Sequence, residues 1–134
     1  MEKKVLLLCN DNSRLSILSA AILNKYLKGV QATSAATKKA KPVNVELKKA
    51  LQKDGSWSDD IQAKSIKELQ NFDFDLVIVL DAYYRKNLPE FPLNTTVIEI
   101  EYDEPNYESP AQLERFIKTI KMEIIPITRD ILEL

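Results

Sequence analysis

One stretch constrains this chain more than any other: Val5-Leu6-Leu7-Leu8-Cys9-Asn10-Asp11-Asn12-Ser13-Arg14-Leu15-Ser16. An unbroken apolar run of this kind is the pattern of a strand buried on both faces. The run stops at Cys9, the only cysteine in the protein. Small and polar residues follow, and then 15–27 carries apolar side chains at helical spacing, so the unit reads strand, tight loop, helix. Cys9 then stands at the carboxyl end of the first strand, facing the first amides of the first helix. Ligands of open α/β sheets bind at that edge. Backbone N–H groups left over at a helix N-terminus attract anions and also stabilise a thiolate. The pattern therefore sets a potential nucleophile in a potential phosphate cradle. The plainer alternative is that Cys9 is a small core residue at a strand end.

The remaining chain alternates in the same way. Lys28-Gly29 is a helix stop, and 30–35 reads as a second strand. A basic loop with Lys38, Lys39 and Lys41 precedes Asn44, which can cap a helix over 45–53 that ends at Asp54-Gly55. After a polar loop, Ser65-Ile66-Lys67-Glu68 matches a capping box and starts a short helix over 65–71. The second continuous apolar run, 75–81, is a strand that ends at Asp81. A short helix over 82–88 is stopped by Pro89 and Pro92, and 95–100 is a last strand rich in β-branched residues. An acidic loop, 101–110, holds Tyr102, Asp103, Glu104, Pro105 and Tyr107. The terminal segment, 111–134, is helical, with Leu113, Phe116, Ile117, Ile120, Ile124 and Ile131 near one face, and Pro126 should kink it or break it in two. Strands alternating with helices imply a four-stranded parallel sheet with helices on both faces, in one domain over 1–134. Cys9 and Asp81 are expected at the same carboxyl edge.

Composition narrows the chemistry. The formal net charge of −1 gives no case for nucleic acid as a partner. No apolar run is long enough to span a bilayer, so no membrane association is expected. The first residues lack a secretory cleavage pattern, and a cytoplasmic location is expected. One cysteine forbids an internal disulfide and a cysteine-rich zinc site, and the absence of histidine removes both a Cys–His pair and a histidine base. No metal and no cofactor is expected. Catalysis would fall to Cys, carboxylates, Lys, Arg, Tyr, Ser or backbone amides.

Around Cys9, the loop residues Asn10, Asp11, Asn12 and Ser13 are the candidate ligand-binding positions, with Leu15 and Ser16 of the following helix. Asn12 also suits a plain turn. Arg14 is either a solvated side chain of the first helical turn or the cation that holds a phosphate beside the thiolate, since a guanidinium offers a rigid fork to phosphoryl oxygens. Ser16 either caps the helix or donates to the thiolate. Asp103 and Glu104 are ordinary loop carboxylates unless the loop folds over Cys9, where one could protonate a leaving group. The lysine cluster reads as a solvated loop.

These residues resemble a known family. The opening segment is similar to the phosphate loop of low-molecular-weight protein tyrosine phosphatases and their arsenate reductase relatives, which carry Cys-Thr-Gly-Asn-Ser-Cys-Arg-Ser after a hydrophobic strand. Ser34-Ala35-Ala36-Thr37 resembles their Ser-Ala-Gly-Thr, and Pro42-Val43-Asn44 stands where Val-Asn-Pro precedes the second helix. Ala63-Lys64-Ser65-Ile66, the strand ending at Asp81, Leu88-Pro89-Glu90-Phe91-Pro92 and Asp103-Glu104-Pro105 also agree in order and spacing. The resemblance covers nearly the whole chain and implies the fold of that family. It implies that Cys9 is the nucleophile, Asn12 the loop asparagine, Ser16 the serine after the arginine and Glu104 the general acid. The arginine position itself is Leu15, with Arg14 one residue early, and the loop glycine is Asp11. Asp81 and Leu88 stand near the two redox cysteines of thioredoxin-coupled arsenate reductases, so only a reductase resolved by an external thiol is compatible.

The implied function is a Cys9-centred anion loop that is weak or inactive as a phosphatase. Alternatives are an active cysteine-dependent phosphatase using Arg14, a pseudo-enzyme acting through a protein partner, and a cysteine phosphocarrier of the sugar-transport type. The expected ligand is a phosphate-like anion or a phosphorylated substrate.

Overall fold

A computed structural model of the chain describes residues 2–10, 14–69, 73–80 and 90–134. Strand β1 (Lys3–Cys9) lies inside a sheet of order β2-β1-β3-β4, completed by β2 (Val30–Ala36), β3 (Leu76–Val79) and β4 (Thr96–Glu99). All neighbouring pairs are parallel, as the alternation of the sequence predicts. Cys9 is level with Ala36 of β2, and Leu8 is level with Val79 of β3. Because β1 has a strand on either side and layers above and below, Val5, Leu6, Leu7 and Leu8 are all fully buried. This is why the run shows no polar alternation.

Period-two geometry sends alternate residues of each strand to opposite faces. Val5, Leu7, Leu76 and Ile78 join one core with helices α1 (Leu15–Tyr26), α2 (Val45–Asp54) and α3 (Pro110–Leu132). Leu6, Leu8, Ala35, Val77 and Val79 join a second, smaller core with Ile66, Leu69, Phe74 and Phe91. The nine residues from Leu15 to Leu23 of α1 are all buried, so this helix is enclosed between the sheet and the outer helices. At the free edge of β2, the Asn24 side chain completes the ladder: its amide donates to Ala32 O at 2.9 Å and its oxygen accepts from Ala32 N at 2.8 Å. Among the described residues, no helix is long and apolar enough to cross a membrane.

Two expected elements differ. The segment from Ser65 does form the capping box, but the helix is one 3-10 turn, Ile66–Glu68. Ile66 is its only buried residue, so there is no apolar stripe to extend it. The backbone just before it is already tied to β2, with Ala36 N donating to Lys64 O at 2.8 Å. The terminal helix is continuous through Pro126 rather than split there. Pro126 leaves the Met122 carbonyl without its helical donor, but both residues are exposed, where water can serve that oxygen. On the buried face Ile120, Ile124, Thr128 and Leu132 run past the proline without a break. The predicted helix over 82–88, Pro89 and Asp81 lie outside the described residues.

Far from Cys9, three helices meet at one polar node. Lys121 of α3 lies 2.6 Å from Asp54 Oδ1, Tyr26 donates to Asp54 Oδ2 at 2.9 Å, and the Lys121 ammonium sits 4.4 Å from the centre of the Tyr26 ring. Burial alone would push the Asp54 carboxyl up, but hydrogen bonds from Lys121 and Tyr26 outweigh it and hold the group below its ordinary value. Tyr26 ends α1, so the node stands about 17 Å along that helix from Leu15.

Gly55 closes α2 in the left-handed conformation (φ 83°), with its N–H bonded to Gln52 O and Leu51 O. A Cβ there meets nothing within 4 Å. The penalty for Gly55→Ala is therefore conformational, and it should lower unfolding free energy by about 1 kcal/mol in urea melts.

Candidate active site

Cys9 is the last residue of β1 and is 8% exposed. Its carbonyl accepts from Thr37 N at 3.0 Å, and the Asn10 carbonyl accepts from Lys38 N at 3.2 Å. These two bonds carry the β2–α2 loop, with Lys38, Lys39 and Lys41, to the same edge as the thiol. All three lysines are exposed, as expected of a solvated loop, although sequence spacing does not say which strand end the loop crosses.

Helix α1 begins beside the thiol. Arg14 holds the N-cap position, has a non-helical backbone and makes no side-chain cap hydrogen bond. The first turn contains no acidic residue. Its positive end is therefore not answered by a carboxylate of that turn. Ser16 is fully buried in this first turn, and its Oγ lies 2.8 Å from Cys9 Sγ. Of the two roles read for Ser16, the structure has the contact with the sulfur and not the cap.

Leu15 and Arg14 part company at this point. Leu15 is 4% exposed and its side chain belongs to the main core, so it brings no side-chain group to an anion. The Arg14 guanidinium lies over the ring of Tyr107, 5.0 Å from its centre. Tyr107 is 6% exposed, and its hydroxyl donates to Glu104 Oε1 at 2.8 Å. Burial pushes the Tyr107 phenol well up, the Glu104 carboxylate adds to this, Arg14 opposes it, and Cys9 contributes in the same sense as Glu104. Cys9, Arg14, Tyr107 and Glu104 thus form one electrostatic group. Asp103 is exposed on the same loop, and nothing among the described residues ties it to Cys9. Asp11, Asn12 and Ser13 lie outside the described residues.

The acidic loop is fastened by its tyrosines. Tyr102 packs edge-on against Phe116 of α3, with ring centroids 6.2 Å apart and planes at 87°. Burial, with the Glu123 carboxylate next in weight, pushes its phenol up to about 12. Sequence reasoning named both tyrosines only as loop members. Their signal was present: two aromatic residues flanking Asp103-Glu104-Pro105 in an otherwise polar loop need apolar surface to cover them. A cavity of about 440 Å³ lies between α2 and α3 rather than at the thiol, and Tyr107 forms part of its wall with Ala50, Leu113 and Ile117.

The sequence profile described as "Low molecular weight phosphotyrosine protein phosphatase" matches residues 4–131. Solved structures of the same fold include an arsenate reductase from Archaeoglobus fulgidus (22% identity, 92% of this chain and 97% of that one, TM-score 0.74). They also include the YwlE arginine phosphatase from Geobacillus stearothermophilus (19%, 98% and 93%, TM-score 0.74). A third is Vibrio vulnificus Wzb in complex with benzylphosphonate (14%, 100% and 100%, TM-score 0.75). At these identities the likeness shows the fold. No curated protein matches the chain.

The two tyrosines give the fold a base-sensitive limb. An unfolded tyrosine ionises near pH 10, whereas both native phenols hold their protons above that value. A raised native pKa stabilises fully below the unfolded value and loses that contribution as pH rises beyond it. Stability should therefore fall as pH climbs above about 10. Urea melts of Tyr107→Phe across that range should show a shallower fall than wild type, with a steeper or unchanged fall counting against the buried phenol.

Proposed function

The chain belongs to the low molecular weight phosphotyrosine protein phosphatase family, and on that premise we propose that it is a phosphate-anion-binding member, centred on Cys9, with little or no turnover of phosphate esters. One observation carries this reading: Leu15 is packed into the core while the guanidinium of Arg14, one residue earlier, rests on the ring of Tyr107. The resemblance in sequence expects a guanidinium at the Leu15 position, where it would meet the equatorial oxygens of a phosphoryl group. Losing such a donor costs roughly two to three orders of magnitude in rate in comparable sites. Asp11, at the expected glycine, adds negative charge to a loop meant for a dianion. Arg14, the first turn of α1 with no acidic residue of its own, and the Ser16 hydroxyl on the sulfur still favour an anion there.

An active cysteine-dependent phosphatase using Arg14 is the second reading, and the Arg14–Tyr107–Glu104 contacts favour it. In that chemistry Cys9 Sγ attacks phosphorus, the S–P bond forms as the ester P–O bond breaks, and Glu104 gives its proton to the leaving oxygen. Arsenate reduction would need an external thiol, since the chain has one cysteine. The carrier alternative gains nothing from the family match. A cytoplasmic place of work fits a chain whose single cysteine cannot form an internal disulfide.

Two measurements test the proposal. Hydrolysis of an aryl phosphate by wild type should exceed that of Cys9→Ser only marginally. Calorimetric binding of inorganic phosphate should be detectable and should weaken about tenfold in Arg14→Ala, as expected for a lost charge-assisted hydrogen bond. Brisk turnover that vanishes in both Cys9→Ser and Arg14→Ala would replace this reading by the second. Leu15→Arg is a poor gain-of-function test, because it drives a charge into the core.

A further inference from the structure

We infer that Tyr107 is a positioning residue of this site, holding the displaced Arg14 beside Cys9 while its hydroxyl anchors the acidic loop through Glu104. The inference rests on the reading of Cys9 as an anion site. Arg14 cannot be aimed by its helix, since its backbone is at φ −136° and ψ −89°, outside the helical region. Its side chain is long and rich in rotamers, and holding it in one place costs conformational entropy. The Tyr107 ring at 5.0 Å supplies the one aromatic contact that Arg14 makes among the described residues. A cation over an aromatic face is attracted by the ring's negative face.

Tyr107 is suited to be the fixed member of the set. It is buried in the main core, whereas Arg14 is half-buried and Glu104 is exposed. A buried tyrosine needs a partner for its hydroxyl, and any acceptor would serve a purely structural role. Here the two ends of the residue engage the two groups that phosphoryl chemistry asks for: a cation on the ring face and a carboxylate on the hydroxyl. The tether uses Oε1 of Glu104 and leaves the second carboxylate oxygen out of that hydrogen bond.

Three variants and two readouts test this. Tyr107→Leu removes ring and hydroxyl at nearly conserved apolar volume, Tyr107→Phe keeps the ring, and Arg14→Ala removes the cation. In calorimetry with inorganic phosphate, Tyr107→Leu should weaken binding about three- to tenfold, and Tyr107→Phe should recover most of that loss. In the Arg14→Ala background, Tyr107→Leu should cost nothing further, because the ring then has nothing to position. A purely structural tyrosine would cost the same in both backgrounds, and that outcome overturns the inference. Nuclear magnetic resonance of the Arg14 Nε–H group gives an arm independent of ligand. Its ring-current shift should persist in Tyr107→Phe and collapse in Tyr107→Leu, and an unchanged resonance in Tyr107→Leu also overturns the inference. If wild type binds no phosphate, the anion-site reading fails, and the resonance alone still decides whether Tyr107 places Arg14.

Discussion

Everything at this site depends on the pairing of β1 with a strand on each side. Seven residues of β1 pair with β2 and four with β3, and both ladders are parallel. Parallel pairing forces each connection to cross over the sheet, so every strand delivers its carboxyl end to the same edge. That edge is where Cys9 ends β1, where α1 begins, and where the loop after β2 is bonded to the Cys9 and Asn10 carbonyls. The thiol is positioned by the most buried part of the molecule, and Ser16, which meets it, is itself buried in the first turn of α1.

A displacement of one residue changes what such an edge can do. Leu15 is the first helical residue of α1 and Arg14 the non-helical residue before it, so the two positions do not present their side chains alike. With leucine at position 15, apolar burial decides the register: Leu15 enters the core with Ile17 and Leu18. Arg14 is left at the N-cap, where its side chain finds the face of Tyr107 instead of being directed by α1. The acidic loop, fastened by Tyr102 onto α3 and by Tyr107 in the main core, thereby becomes part of the arginine's support as well as a source of carboxylates.

The fold was legible because its main signals are long and unambiguous. The runs at 5–8 and 76–79 are apolar without alternation, and parallel strands buried on both faces leave that mark. Asn44 and Gly55 bound α2 where their chemistry predicts, one accepting from Leu47 N and the other taking the left-handed turn. The site was legible only in part. The Cys9–Ser16 contact follows from strand–loop–helix spacing, but Arg14 on Tyr107 joins residues 93 positions apart, and no local pattern encodes it. Thr128 was missed on the buried face of α3 because it is polar, although the four-residue step from Ile124 to Leu132 passes through it.

A phosphate-like anion held at the edge beside Cys9 would shield the thiol. Since Cys9 is the only cysteine, alkylation of the intact protein by iodoacetamide reports on this site alone and is read directly by mass spectrometry. Inorganic phosphate should slow alkylation in a saturable way, while chloride at matched ionic strength should not, and Arg14→Ala should shift the protection to higher phosphate. An alkylation rate indifferent to phosphate would contradict the account.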